Sequence, residues 1–125
     1  MEISNKLEIR EISKLFLTRD SYKEAIKDVS LDVRENEFLV LLGPGECGKT
    51  VLLNIIAGLM EADSGEIYID GKKTEGINPQ IGMIFQELGV LPWLTVRDNV
   101  SMPAKFKGQS KKERYEHGEK YIDLV

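Results

Sequence analysis

An α/β fold is predicted by three features of this 125-residue sequence. Phe38-Leu-Val-Leu-Leu42 is a short apolar run of the kind that forms a strand covered on both faces. The octapeptide Gly43-Pro-Gly-Glu-Cys-Gly-Lys-Thr50 follows it directly. Leu52, Ile55, Ile56 and Leu59 then recur at helical spacing. Strand, glycine loop and helix in that order make one unit of a parallel-sheet architecture.

The remaining elements can be placed around this unit. Leu7-Glu-Ile-Arg-Glu-Ile12 and Ala25–Val33 alternate apolar and polar residues, as half-buried strands do, with a turn at Asp20–Glu24 between them. Arg34–Glu37 is a polar connection to the buried strand. The helix after Gly48 fades near Ala57-Gly58, and Ala62–Gly65 is turn chemistry. Glu66–Asp70 is a strand closed by the hairpin signal Asp70-Gly71. Ile81–Phe85 reads as a second buried strand ending in Gln86. Pro92–Thr95 breaks the chain, Thr95 caps a short helix through Asn99, and Pro103 ends it. Ser110 opens an amphipathic helix to Val125, with Glu113 completing a capping box. Lys112, Glu116 and Lys120 form a ladder on one face, and Tyr115, Ile122 and Val125 mark the apolar side.

Composition narrows the class. A hydrophobic content of 42% suffices for a globular core, and the length suits one small domain or part of a larger one. A single cysteine excludes an internal disulfide and fits a reducing compartment. No apolar run approaches the roughly 20 residues needed to span a bilayer, and Met1–Lys6 has no signal-peptide core. A net charge of −4 argues against nucleic acid as a partner; Lys105, Lys107, Lys111 and Lys112 look basic, but glutamates interleave downstream of them. His117, the only histidine, has no metal-ligand cluster around it and reads as a surface residue.

The octapeptide fits G-x-x-x-x-G-K-[ST], a loop that cradles nucleotide phosphates. Glycines let successive backbone N–H groups turn inward toward an anion. The following helix adds its unpaired N-terminal N–H groups and the positive end of its dipole. Lys49 would reach the β and γ phosphates, each such charge-assisted bond being worth roughly 1.5–3 kcal/mol. Thr50 would place a hydroxyl oxygen on Mg2+. A chance match in an ordinary strand–turn–helix connection is the alternative, and the flanking elements speak against it. Glu46 stands where such loops usually have glycine. A carboxylate about 4–8 Å from a phosphate costs roughly 2–4 kcal/mol at an effective dielectric near 20, and roughly 0.5–1 kcal/mol when it faces water. A left-handed backbone at that residue would add about 1 kcal/mol of strain. Cys47 reads as a thiol beside bound nucleotide or as a small filler, and either way as a site for an alkylation probe.

Taken together these residues resemble the N-terminal half of an ABC-transporter ATP-binding subunit. The likeness runs through Ile12–Phe16, Ile26–Val33, Gly43–Thr50, Leu52–Gly58, Ser64-Gly-Glu66, Asp70-Gly71 and Ile84-Phe-Gln86. Phe85–Val96 is similar to the nitrate, sulfonate and taurine importer branch. The resemblance implies a P-loop NTPase-type (RecA-like) α/β core, incomplete, with an antiparallel β subdomain and the start of a helical subdomain. Residues 1–86 would form the partial nucleotide-binding core and 87–125 the beginning of the helical subdomain. It implies ATP and Mg2+ as cofactors. Gly43, Pro44, Gly45, Glu46, Cys47, Gly48, Lys49, Thr50 and Val51 match the phosphate loop. Val51 departs from the pattern, which usually has a second hydroxyl for the α phosphate. Phe16 matches the aromatic that stacks on adenine. Tyr22 in the same loop is the alternative, and Phe16 can equally be a strand-end core residue. Gln86 matches the glutamine that contacts Mg2+ or the attacking water. With Lys49 it is the catalytic candidate, and with Thr50 the metal candidate. Trp93 is either a contact to a membrane subunit or a core anchor.

The same resemblance implies partners and place: transmembrane permease subunits, a second ATP-binding subunit, and a cytoplasmic position on the inner face of the membrane. The transported solute would be a small anion such as nitrate, sulfonate or taurine. The family's signature motif, its Asp-bearing strand, catalytic glutamate and switch histidine have no counterpart in these residues. Hydrolysis by the chain alone is therefore not expected to exceed that of a Lys49→Ala control. A nucleotide-holding module without hydrolysis, a non-functional remnant, and another P-loop enzyme such as a GTPase or small-molecule kinase are the competing readings. No Asn-Lys-x-Asp guanine motif supports the last.

Overall fold

The structure is a computed structural model that describes residues 5–87 and 89–125. Met1–Ser4 of the amino-terminal segment and Leu88 of the Phe85–Val96 segment lie outside the described residues. The chain divides into two units, the first ending at Met83 and the second starting at Ile84.

In the first unit β1 (Asn5–Leu17), β2 (Tyr22–Arg34), β3 (Ser64–Ile69) and β4 (Lys72–Lys73) form an antiparallel sheet in the order β2-β1-β3-β4. Ile9 and Ile12 are both only 1% exposed although their odd spacing should place them on opposite faces. A bulge reconciles them. Glu11 has φ 52°, and the register shifts between Ile9 and Ile12. A second irregular residue on the paired strand, Asp28 with φ 44°, separates Ile26 from Val29 in the same way. Hydroxyls collect the donors freed there: Glu11 N–H donates to Ser30 Oγ and Asp28 N–H to Ser13 Oγ, each at 2.9 Å. The hairpin expected at Asp70-Gly71 forms. Both residues take positive φ, 50° and 70°, as a two-residue turn between twisted strands requires.

Helix α1 (Lys49–Ile56) lies on this sheet. Its Leu52 and Ile55 join Ile9, Ile12, Ile26 and Ile67 in one buried cluster. Leu59, expected on the same face, is about half exposed because the helix has already ended at the Ala57 cap. Asp63 anchors the strand after the helix to β1, accepting from Lys14 Nζ at 2.8 Å and from the Leu15 N–H at 2.7 Å.

Two expected strands are absent. Phe38–Leu42 and Ile81–Phe85 have no strand pairing; Phe38 is 91% exposed and Ile84 98%. Their apolar composition suits burial in a parallel sheet, but a parallel strand is held by neighbours beside it. Every strand pairing among the described residues is antiparallel and none reaches these runs. The antiparallel subdomain and the helix after the loop are thus assembled, and the parallel part of the expected core is not.

The second unit holds α2 (Val96–Val100), α3 (Met102–Phe106) and α4 (Lys111–Ile122). Thr95 caps α2 by accepting the Asp98 N–H. Pro103 does not end that helix. It occupies the first turn of α3, where a missing N–H costs nothing. Ser110 and Glu113 form the expected capping box at the start of α4, which ends at Ile122, three residues before Val125. Tyr115 hydrogen-bonds Asp98, while Val125 is fully exposed. Gly118 lies buried against Ser101, where a Cβ would fall 2.7 Å from Ser101 Oγ. Trp93 is 75% exposed and anchors no core. No helix among the described residues is long and apolar enough to cross a membrane.

Ile12→Ala removes a fully buried side chain from the centre of the first unit. It should lower unfolding stability by about 2–5 kcal/mol, read as a lower urea midpoint at unchanged slope.

Candidate functional site

The loop is set on the sheet by one contact. Gly48 has φ 93°, and a Cβ there would lie 2.3 Å from the Ala25 carbonyl oxygen of β2. Only glycine permits both that backbone conformation and that approach. It is the cap residue of α1, which has no side-chain cap and no acidic residue in its first turn. The helix therefore starts with N–H groups and a positive dipole end that no side chain neutralises.

The first unit brings Phe16, Glu46, Cys47, Gly48, Lys49, Thr50 and Val51 to one cavity of about 300 Å³. Phe16 is half-buried, and Lys14 Nζ sits 5.8 Å from its ring centre. Tyr22 is 73% exposed and does not line the cavity. Gly43 and Pro44 take part through their carbonyls: Lys49 Nζ donates to them at 2.8 and 2.7 Å. Gly45 and Glu46 form the turn of the loop. Thr50 and Val51 occupy the first turn of α1, with Thr50 exposed. Gln86 is an exposed bend residue of the second unit.

Lys49 Nζ also donates to Cys47 Sγ at 3.1 Å. That hydrogen bond, helped by the Lys49 backbone N–H, holds the thiol below its ordinary range. Cys47 is exposed, so the thiolate is accessible to reagents. Glu46 takes φ 60°, the left-handed conformation that strains a residue with a Cβ. Its side chain is 86% exposed and its carboxylate lies 3.4 Å from Lys23 Nζ. The low-cost, water-facing case for this carboxylate is the one observed.

Lys23 and Ala25 line the same cavity, and neither was singled out in the sequence. Their signal was indirect. Phe16 pairs with Lys23 across β1 and β2, so an aromatic at the end of one strand implicates the residue opposite it. The relation was hidden because Asp20–Glu24 reads as a turn, whereas β2 already starts at Tyr22 and pairs Lys23 with Phe16.

The anion-binding character of the loop can be tested against its residues. A lysine ammonium held by two carbonyl oxygens and a sulfur, an uncapped helix start and a cavity wall carrying an aromatic suit a nucleotide polyphosphate. Thr50 adds the hydroxyl that a hard cation such as Mg2+ takes as ligand. No cluster of three or more His, Cys, Asp or Glu capable of holding a metal by itself occurs among the described residues.

The lowered thiol pKa makes a pH prediction. Alkylation of Cys47 by iodoacetamide should rise at lower pH than for an ordinary thiol, because its thiolate forms earlier. Lys49→Met should move the rate profile to higher pH, while total modification of unfolded protein stays the same.

The sequence profile of the ABC transporter family matches residues 26–124. An uncharacterized ABC transporter ATP-binding protein of Methanocaldococcus jannaschii is 40% identical over 120 residues, which cover 96% of this chain and 45% of that protein. The taurine import ATP-binding protein of Ruegeria pomeroyi is 41% identical over 120 residues, covering 95% of this chain and 45% of the relative. The nitrate import ATP-binding protein of a Synechocystis strain is 36% identical over 119 residues, with shares of 95% and 45%. The chain thus spans a little under half the length of these relatives. Among solved structures, a dimeric ATP-binding cassette in a post-hydrolysis state with ADP and Pi superposes with a TM-score of 0.82 at 30% identity, covering 94% of this chain and 56% of that one. The antiparallel sheet, phosphate-type loop and helix are accordingly part of a P-loop NTPase core, and the chain belongs to the ABC transporter family as part of its ATP-binding cassette.

Proposed function

We propose that this chain binds Mg-ATP through Gly43–Thr50 and serves as the N-terminal part of an ABC importer's ATP-binding subunit. The observation that carries the reading is the placement of Lys49 Nζ among the Gly43 and Pro44 carbonyls at the uncapped start of α1. Phosphate oxygens are stronger acceptors than backbone carbonyls, and a charge-assisted bond to them is the better partner for the ammonium. Phe16, half-buried on the cavity wall, offers a face on which adenine can stack. Thr50 would offer its hydroxyl oxygen to the metal, and bound Mg2+ would neutralise charge on the phosphates. Lys49 in the first unit and Gln86 in the second are each carried as catalytic candidates, and Gln86 also as a metal candidate.

The named relatives favour an importer of a small solute such as taurine or nitrate. Transmembrane permease subunits and a second ATP-binding subunit are the partners this assigns, with the chain on the cytoplasmic face of the membrane. The dimeric state of the solved cassette supports pairing of two such subunits.

Calorimetric titration with Mg-ATP tests the reading. The chain should bind, and Lys49→Ala should weaken binding by about ten- to a hundredfold, the range of one lost charge-assisted contact. Equal binding by both proteins overturns it. ATP turnover recorded in parallel separates a nucleotide-holding module, which shows none above the Lys49→Ala control, from a catalytic unit.

A further inference from the structure

Glu46 places a negative charge in a loop whose other groups suit an anion. Its backbone takes the left-handed conformation at φ 60°, and it lines the cavity together with Lys49 and Thr50. Lys23 meets it there, with Nζ 3.4 Å from Glu46 Oε2. Lys23 is not placed by chance. The β1–β2 register sets it opposite Phe16, and the approach of Gly48 to Ala25 brings the loop to the same end of β2. Lys23 therefore lines the cavity together with Phe16 and the loop residues.

We propose that Lys23 is a positioning residue for nucleotide binding: it holds the Glu46 carboxylate at the cavity rim and cancels its charge, so that the loop accepts a polyphosphate. The proposal rests on the nucleotide reading above and adds a residue to it. It acts through Glu46, not through contact with the nucleotide. The chemistry has two consequences. The contribution of Lys23 exists only while residue 46 is charged. It also grows with the negative charge of the ligand and shrinks as salt screens an exposed pair.

A double-mutant cycle on Mg-ATP binding at low ionic strength tests this. Lys23→Ala should weaken binding by about two- to fivefold, the range of one exposed ion pair. The loss should be smaller for ADP than for ATP. Lys23→Arg should restore parental affinity. In a Glu46→Gln background the Lys23→Ala change should leave affinity unaltered. Equal losses in both backgrounds overturn the proposal, because Lys23 would then act without Glu46, and so does the absence of any loss. A parent chain that fails to bind Mg-ATP overturns the nucleotide reading and this inference with it. A parent that binds while Lys23 and Glu46 are uncoupled overturns the inference alone. Unchanged thermal unfolding of the variants separates a binding effect from loss of fold.

Discussion

The site depends on the contact between Gly48 and the Ala25 carbonyl. The motif read from the sequence is a chemical specification, but it becomes a site only when its helix is docked. Gly48 does the docking. Lacking a Cβ, it lets β2 run directly against the start of α1, and Ile26, next on that strand, and Leu52, one turn into the helix, are in the core. Packing energy from the cluster around Ile9 and Ile12 thereby fixes the direction of the first-turn N–H groups. Any side chain at position 48 would separate helix from strand and disperse the groups that gather around Lys49. One residue thus carries both the conformational demand of the loop and the steric demand of the core.

Electrostatics within the loop follow from that placement. The Lys49 ammonium is surrounded by acceptors from its own loop, two carbonyls and a thiol, and lowers the thiol pKa as it does so. Glu46, the residue least suited to an anion site, is turned to water and paired with a lysine from the sheet. The positive and negative groups are separated by where the backbone points them. Coulomb terms at exposed positions are small, so geometry more than pairing energy decides which charge an incoming ligand meets first.

Much of this was legible in the sequence, and the reasons differ by element. The capping box at Ser110 and Glu113, the Thr95 cap and the Asp70-Gly71 hairpin are local signals, complete within a few residues, and each formed as read. The loop and α1 were legible for the same reason. Pro103 was misread because proline carries two meanings, helix end and first-turn residue, and the local sequence does not separate them. Phe38–Leu42 and Ile81–Phe85 failed for a deeper reason. Apolar composition records an environment, while a strand requires a partner, and no partner is encoded in the run itself. Asp20–Glu24 reads as a turn, which hid the strand pairing that brings Lys23 to Phe16, so the lysine of the cavity wall emerged only with the structure.

The exposed run at Phe38–Leu42 has a consequence for how the chain behaves in bulk. Five consecutive apolar residues, without a charge or a proline, present unpaired backbone donors and acceptors to solvent. A second molecule offers the same segment, so two identical apolar runs are available to meet. Encounters of that kind scale with the square of concentration, whereas closure of the core around Ile9 and Ile12 does not depend on concentration at all. Dilution of these 125 residues therefore favours closure of that core over association through the segment.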